Sequence, residues 1–232
     1  MALTALQAFA ERQGQRLSEL ESIDLGRIDP RSGSARAVLE QFIANADAGS
    51  LLAMCTCAAC FRTGWGTEPN GSAAMAWARK AAERGYPPGQ FELALCYENA
   101  VGTARDVEAA VRLLEQALGG GYAAAALHLA MLYHLGRVVP ADPDKATRYV
   151  LTAVDLGDAY AAFELASWYE DGDGVARDTM QALRWYEHAA RGGSVFACTR
   201  LADAYSKGEL DLPQDQKRAR EFARMAEQAE LP

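Results

Sequence analysis

GDAYAAFELASWYEDGDGVARDTMQALRWYEHAARGG, residues 157–193, has glycine at both ends, and its chemistry recurs column by column along most of the chain. Gly49, Gly85, Gly121, Gly157 and Gly193 follow one another at a constant spacing of 36 residues. A fixed period of this size marks a repeat array, in which each unit buries its apolar face against its neighbours. Four residues after each glycine stands a small residue (Ala53, Gly89, Ala125, Ala161, Ala197), and eight after stands a leucine, or Cys57 in the first unit. Nine after is always alanine, and twelve after is always aromatic: Phe61, Tyr97, Tyr133, Tyr169 and Tyr205. These offsets share one face of a helix with 3.6 residues per turn, so each unit opens with a helix.

A glycine-marked loop follows and ends at Asn70, Asp106, Asp142, Asp178 or Asp215, residues whose side chains cap the free amides of a new helix. The second helix carries Ala74, Ala110, Ala146, Ala182 and Ala219. Three residues after each of these comes Trp77, Leu113, Tyr149, Trp185 or Phe222. Small against large at fixed offsets predicts interlocking helices. The next glycine of the 36-residue column terminates the second helix.

Ala161, Leu165-Ala166, Tyr169, Gly172-Asp173-Gly174-Val175, Asp178, Ala182, Trp185-Tyr186, Ala189-Ala190 and Gly193 resemble the pattern of the Sel-one-like repeats, a branch of the tetratricopeptide-type helical hairpins. The resemblance covers roughly residues 49 to 229 and implies an all-α fold, a right-handed α-α superhelix built as a solenoid of helical hairpins. The units fall at 49–84, 85–120, 121–156, 157–192 and 193–232, the last including a C-terminal cap. Two loops depart from the pattern: the third unit has Arg137-Val138-Val139 in place of Gly-Val, and the fifth is longer and lacks its closing glycine. Residues 1–48 stand outside the array. Leu3, Leu6, Ala10, Leu17 and Leu20 predict a helix that caps the array or, alternatively, docks on another protein, and Val38, Leu39, Phe42, Ile43 and Ala46 predict the second helix of a degenerate half-repeat.

The net charge of -8 and pI near 5.0 argue against nucleic acid and anionic membranes as partners. Lys217, Arg218, Arg220 and Arg224 lie among glutamates and read as a solvated terminal face. There is no 18-residue apolar run for membrane insertion. Five cysteines without a secreted spacing point to a reducing compartment, so the expected location is cytoplasmic and the expected state a monomer.

Catalytic patterns are missing. His128, His134 and His188 form no metalloprotease pair, the serines lack a nucleophile turn, and Asp171-Gly172-Asp173-Gly174 lacks the later ligands of a calcium loop. The reading is therefore non-enzymatic, with no cofactor. A second reading, cysteine-based metal binding or redox sensing, rests on Cys55, Cys60 and Cys96; helix geometry opposes it, since Cys57 sits in the core leucine column and Cys55 points about 200° away from it.

What remains is the other face of each first helix, at offsets 3, 7, 10, 11 and 14. The resemblance implies that first helices line a concave side that binds extended partners. Here the repeats differ most, and Glu92, His128, Met131, Tyr160, Glu164, Trp168, Arg200 and Asp203 are the candidate partner-binding residues. The expected function is a scaffold or adaptor for another protein or peptide; the resemblance allows a regulatory, virulence-associated or toxin-neutralising immunity role in a bacterium. Truncating Leu165 or Tyr169 should destabilise the fold, and truncating Trp168 should weaken a partner while sparing it.

Overall fold

The computed structural model describes residues 25–230, so the capping helix expected at residues 1–22 lies outside the described residues. Among these residues there are eleven α-helices and no strand. The helix α1 (Gly33–Asp47) precedes the first unit and packs on α2. The first helices of the five units are α2 (Leu51–Thr63), α4 (Pro87–Glu98), α6 (Ala123–Leu135), α8 (Ala159–Asp171) and α10 (Val195–Lys207). The second helices are α3 (Gly71–Ala82), α5 (Val107–Gly119), α7 (Pro143–Asp155), α9 (Thr179–Arg191) and α11 (Gln216–Glu230).

The described residues divide into two compact units, one ending at Ala125 and the other beginning at Ala126, with the division inside α6. In the first, α1 to α5 pack in sequence, and α2 also touches α4. In the second, α7 to α11 pack in sequence, and α8 also touches α10. Consecutive helical hairpins thus share their cores within each unit.

The predicted caps form. Asn70, Asp106, Asp142 and Asp178 each accept from the amide three residues on at 2.9–3.0 Å, and Asp215 accepts from Lys217 and Arg218. Each capping residue's own N–H then donates to the carbonyl of the offset-12 aromatic. Asp178 to Tyr169 at 2.9 Å is one example, and it ties the end of the loop back to the first helix. The latch survives in both divergent loops, as Asp142 to Tyr133 and Asp215 to Tyr205. In the fifth loop Leu210 and Asp211 absorb the extra residue at φ 56° and 55°. The five column glycines have φ between 69° and 103°, and the residue after each donates back to a carbonyl of the preceding helix, the left-handed stop expected there.

The small columns are where helices touch. Ala53, Ala125, Ala161 and Ala197 are fully buried, and a Cβ on Gly89 would stand 2.5 Å from that of Ala81. Leu129, Leu165 and Leu201 are buried completely. Two sequence expectations need correcting. Four of the five offset-12 aromatics, Tyr169 among them, are only half-buried; Tyr205 is the buried one. In the second helices the bulky column Trp77, Leu113, Tyr149, Trp185 and Phe222 is also half-buried. The core position is the next residue, occupied by Ala78, Leu114, Val150 and Tyr186.

Candidate interaction face

Two of the eight candidates hold neighbouring hairpins together through ion pairs. Glu92 on α4 is 5% exposed and accepts from Nε and Nη2 of Arg62, at the end of α2, at 3.3 and 3.2 Å. Burial pushes its carboxyl up, against the opposing pull of Arg62. Arg200 on α10 stands at the same register position as Glu92, and Glu170 on α8 at that of Arg62, so the pair recurs with its charges exchanged. Arg200 is bidentate to Glu170 and also reaches Glu209 at 2.7 Å, while the Tyr186 hydroxyl donates to Glu170 at 2.6 Å. Burial raises the Glu170 carboxyl, but the hydrogen bonds from Arg200 and Tyr186 outweigh it and hold the group below its usual range.

Trp168 is 4% exposed. Its ring lies on His134 of α6, whose Nε2 sits 3.1 Å from Asp173 Oδ2. The expectation of an open tryptophan is thereby corrected: its surface is spent on the neighbouring helix. His128 and Met131 on α6 are half-buried, and Asp203 is exposed beside Lys207 at 3.7 Å.

Tyr160 and Glu164, one turn apart on α8, belong to a different environment. The ring of Tyr160 lies 5.8 Å from Phe163 and 5.7 Å from Phe196 of α10, and Phe163 lies 5.7 Å from both Phe196 and the buried Tyr186. Burial, then the neighbouring Glu164 and Asp158 carboxylates, push the Tyr160 hydroxyl up to about 12. Phe196 is 56% exposed. The cluster therefore presents an open aromatic ring on a base fixed by Tyr186, Glu170 and Arg200. Phe196 shares the offset-3 column with Tyr160, which could have singled it out; Phe163 lies outside the chosen columns, and only the approach of α10 reveals its role.

All five cysteines are free and buried. Burial raises every thiol, Cys57 and Cys60 to about 12 and Cys96 to about 11, far from the thiolate a reactive redox cysteine requires. Among the described residues no group of three or more His, Cys, Asp or Glu is placed to hold a metal ion. A groove of about 840 Å³ lies beside α7 and the loop entering α9. Its lining sets Asp144, Asp155 and Asp178 against Arg148 and Arg177, with no His or Cys to act as base or nucleophile.

A family model described as Sel1 repeat matches residues 51–86, 87–122, 123–158, 159–194 and 195–229. No curated protein matches the chain. A Sel1 repeat protein from Oxalobacter formigenes is 28% identical, with a TM-score of 0.68 over 99% of this chain and 87% of that one. The protective antigen c5321, present in uropathogenic Escherichia coli strains and displaying an SLR fold, is 30% identical, with a TM-score of 0.63 over 82% of this chain and 41% of that one. Immunity protein Pa5087 from Pseudomonas aeruginosa, at 21% identity and a TM-score of 0.68 over 98% and 81%, shares the fold. The fold class is the all-α solenoid of helical hairpins.

Proposed function

The chain belongs to the Sel1 repeat family, and we propose that it is a non-enzymatic scaffold that docks another protein or peptide on the Tyr160, Phe163 and Phe196 face of α8 and α10. The observation that carries this reading is Phe196, a large aromatic 56% exposed yet held against two further rings. Rigid aromatic anchors lose little conformational freedom on binding and dominate interface energetics. Glu164 beside them supplies the polar rim, and the clamp of Arg200, Glu170 and Tyr186 keeps α8 and α10 in register. The groove beside α7 is a weaker docking site, since its charges face charges of opposite sign and no large apolar group stands open in it.

We further place the protein in a bacterial cytoplasm, as a monomeric adaptor with a capping segment before residue 49. Five free cysteines suit a reducing compartment, and no helix among the described residues is long and apolar enough to cross a membrane. Whether the role is regulatory, virulence-associated or toxin-neutralising follows from the partner. Affinity capture from the native cell with the full chain, followed by mass spectrometry, identifies it. A partner retained by wild type and by Arg148→Ala but lost by Phe196→Ser supports the assignment; undiminished retention by a folded Phe196→Ser variant refutes it.

A further inference from the structure

The outward stripe of α8 reads Tyr160, Glu164, Ser167, Asp171, at steps of four, three and four residues. Its two carboxylates have hydroxyl neighbours: Tyr160 stands against Glu164, and Ser167 Oγ donates to Asp171 Oδ2 at 3.4 Å. Nearby polar groups are engaged elsewhere: Arg200 with Glu170 and Glu209, Lys207 with Asp203, and the His134 ring with Asp173. Among the described residues no Lys, Arg or His pairs with Glu164 or Asp171. Two uncompensated negative charges thus run along α8 from the exposed ring of Phe196.

Resting on the docking face proposed above, we propose that its occupant is a cationic polypeptide segment with an apolar anchor, one large apolar side chain seated on Phe196 and Tyr160 and basic side chains reaching Glu164 and Asp171. Basic residues suit this surface twice over. Their aliphatic stems cover aromatic rings while their charged ends meet the carboxylates, and opposite charge across an interface selects partners and speeds encounter. Glu164 and Asp171 are separated by about 10 Å along the helix axis, at 1.5 Å per residue. A segment in the polyproline II conformation, with three residues per turn, places basic residues three apart on one face at about the same distance. Anionic partners would be repelled, in keeping with the chain's net charge of -8.

The experiment is titration of the ¹⁵N-labelled full chain, followed by amide chemical shifts, with two probes: acetyl-Leu-Ser-Arg-Ser-Ser-Arg-amide and acetyl-Leu-Ser-Glu-Ser-Ser-Glu-amide. The arginine probe should produce saturable shifts at Glu164, Asp171 and Phe196. Its affinity should fall by about five-fold or more in the Glu164→Gln/Asp171→Asn double variant and in about 0.5 M salt, because rim charges are screened. The glutamate probe should leave these amides unmoved. Equal binding of both probes, binding indifferent to salt and to the double variant, or no shift with either probe overturns the cationic assignment. The docking face is judged separately, by the Phe196→Ser capture.

Discussion

The imidazole of His134 lies flat on the indole of Trp168, ring centroids 4.1 Å apart and planes within 6° of parallel. This stack joins α6 to α8, and Asp173 fixes the imidazole from the loop beyond α8 at 3.1 Å. A residue that sequence position puts on an open face is thus a joint between hairpins. Trp168→Ala should cost about 3–5 kcal/mol, as for other large buried aromatics. Urea denaturation measures it, and a loss below 1 kcal/mol on the same scale would contradict the buried joint.

Leu165 is buried completely and Tyr169 only half. Leu165→Ala should therefore cost about 2–5 kcal/mol, and Tyr169→Ala clearly less. Melting curves of the two variants side by side decide the order, which is the reverse of what side-chain size alone suggests.

The two clamps should respond to pH with opposite signs. Glu92 has a folded value raised above its unfolded one, so the folded state binds the extra proton and Glu92's contribution weakens stability as pH rises through that window. Glu170 is lowered, so its contribution is present above the ordinary carboxylate value and is lost as pH falls through its folded value. Thermal melts between acid and neutral pH should show Glu92→Gln more resistant than wild type to the neutral-side loss, and Glu170→Gln with a flattened acid limb. Arg62→Ala should cost about 3 kcal/mol near neutrality, because it strands a buried carboxylate.

Phe196→Ser should leave stability within about 1 kcal/mol of wild type, since most of the ring faces solvent. If the ring is a docking anchor, the same change should weaken a captured partner by about 30-fold or more, the loss of about 2 kcal/mol that marks an interface hot spot. Calorimetry on the purified pair reads the second quantity and denaturation the first.

The native protein should resist thiol reagents. With Cys55, Cys57, Cys60 and Cys96 buried and their thiols raised, a disulfide reagent at mildly alkaline pH should label these four slowly, and all five cysteines at once in urea. Rapid native labelling of Cys60 or Cys96 would reopen a redox role.

The 36-residue glycine column by itself determined the helical hairpins, their caps and their stops, because each depends on local backbone chemistry repeated five times. Gly193 takes the left-handed turn that ends α9, and Asp178 caps the helix that begins beside it. The alanine and leucine columns were legible for the same reason, since a core shared by stacked hairpins accepts few side chains at each offset. The offset-3 column already held Tyr160 and Phe196, two of the three rings of the candidate face. What only the tertiary structure decided is which residues of that outward face remain open. Helical period places Glu92, Trp168 and Arg200 on it together with Tyr160, Glu164 and Asp203, but a neighbouring helix covers the first three with Arg62, His134 and Glu170. Phe163 joins the aromatic cluster only because α10 brings Phe196 against it. Period fixes the direction a side chain leaves its own helix; how closely the next hairpin approaches, and with what side chain, decides whether it becomes a joint or a surface.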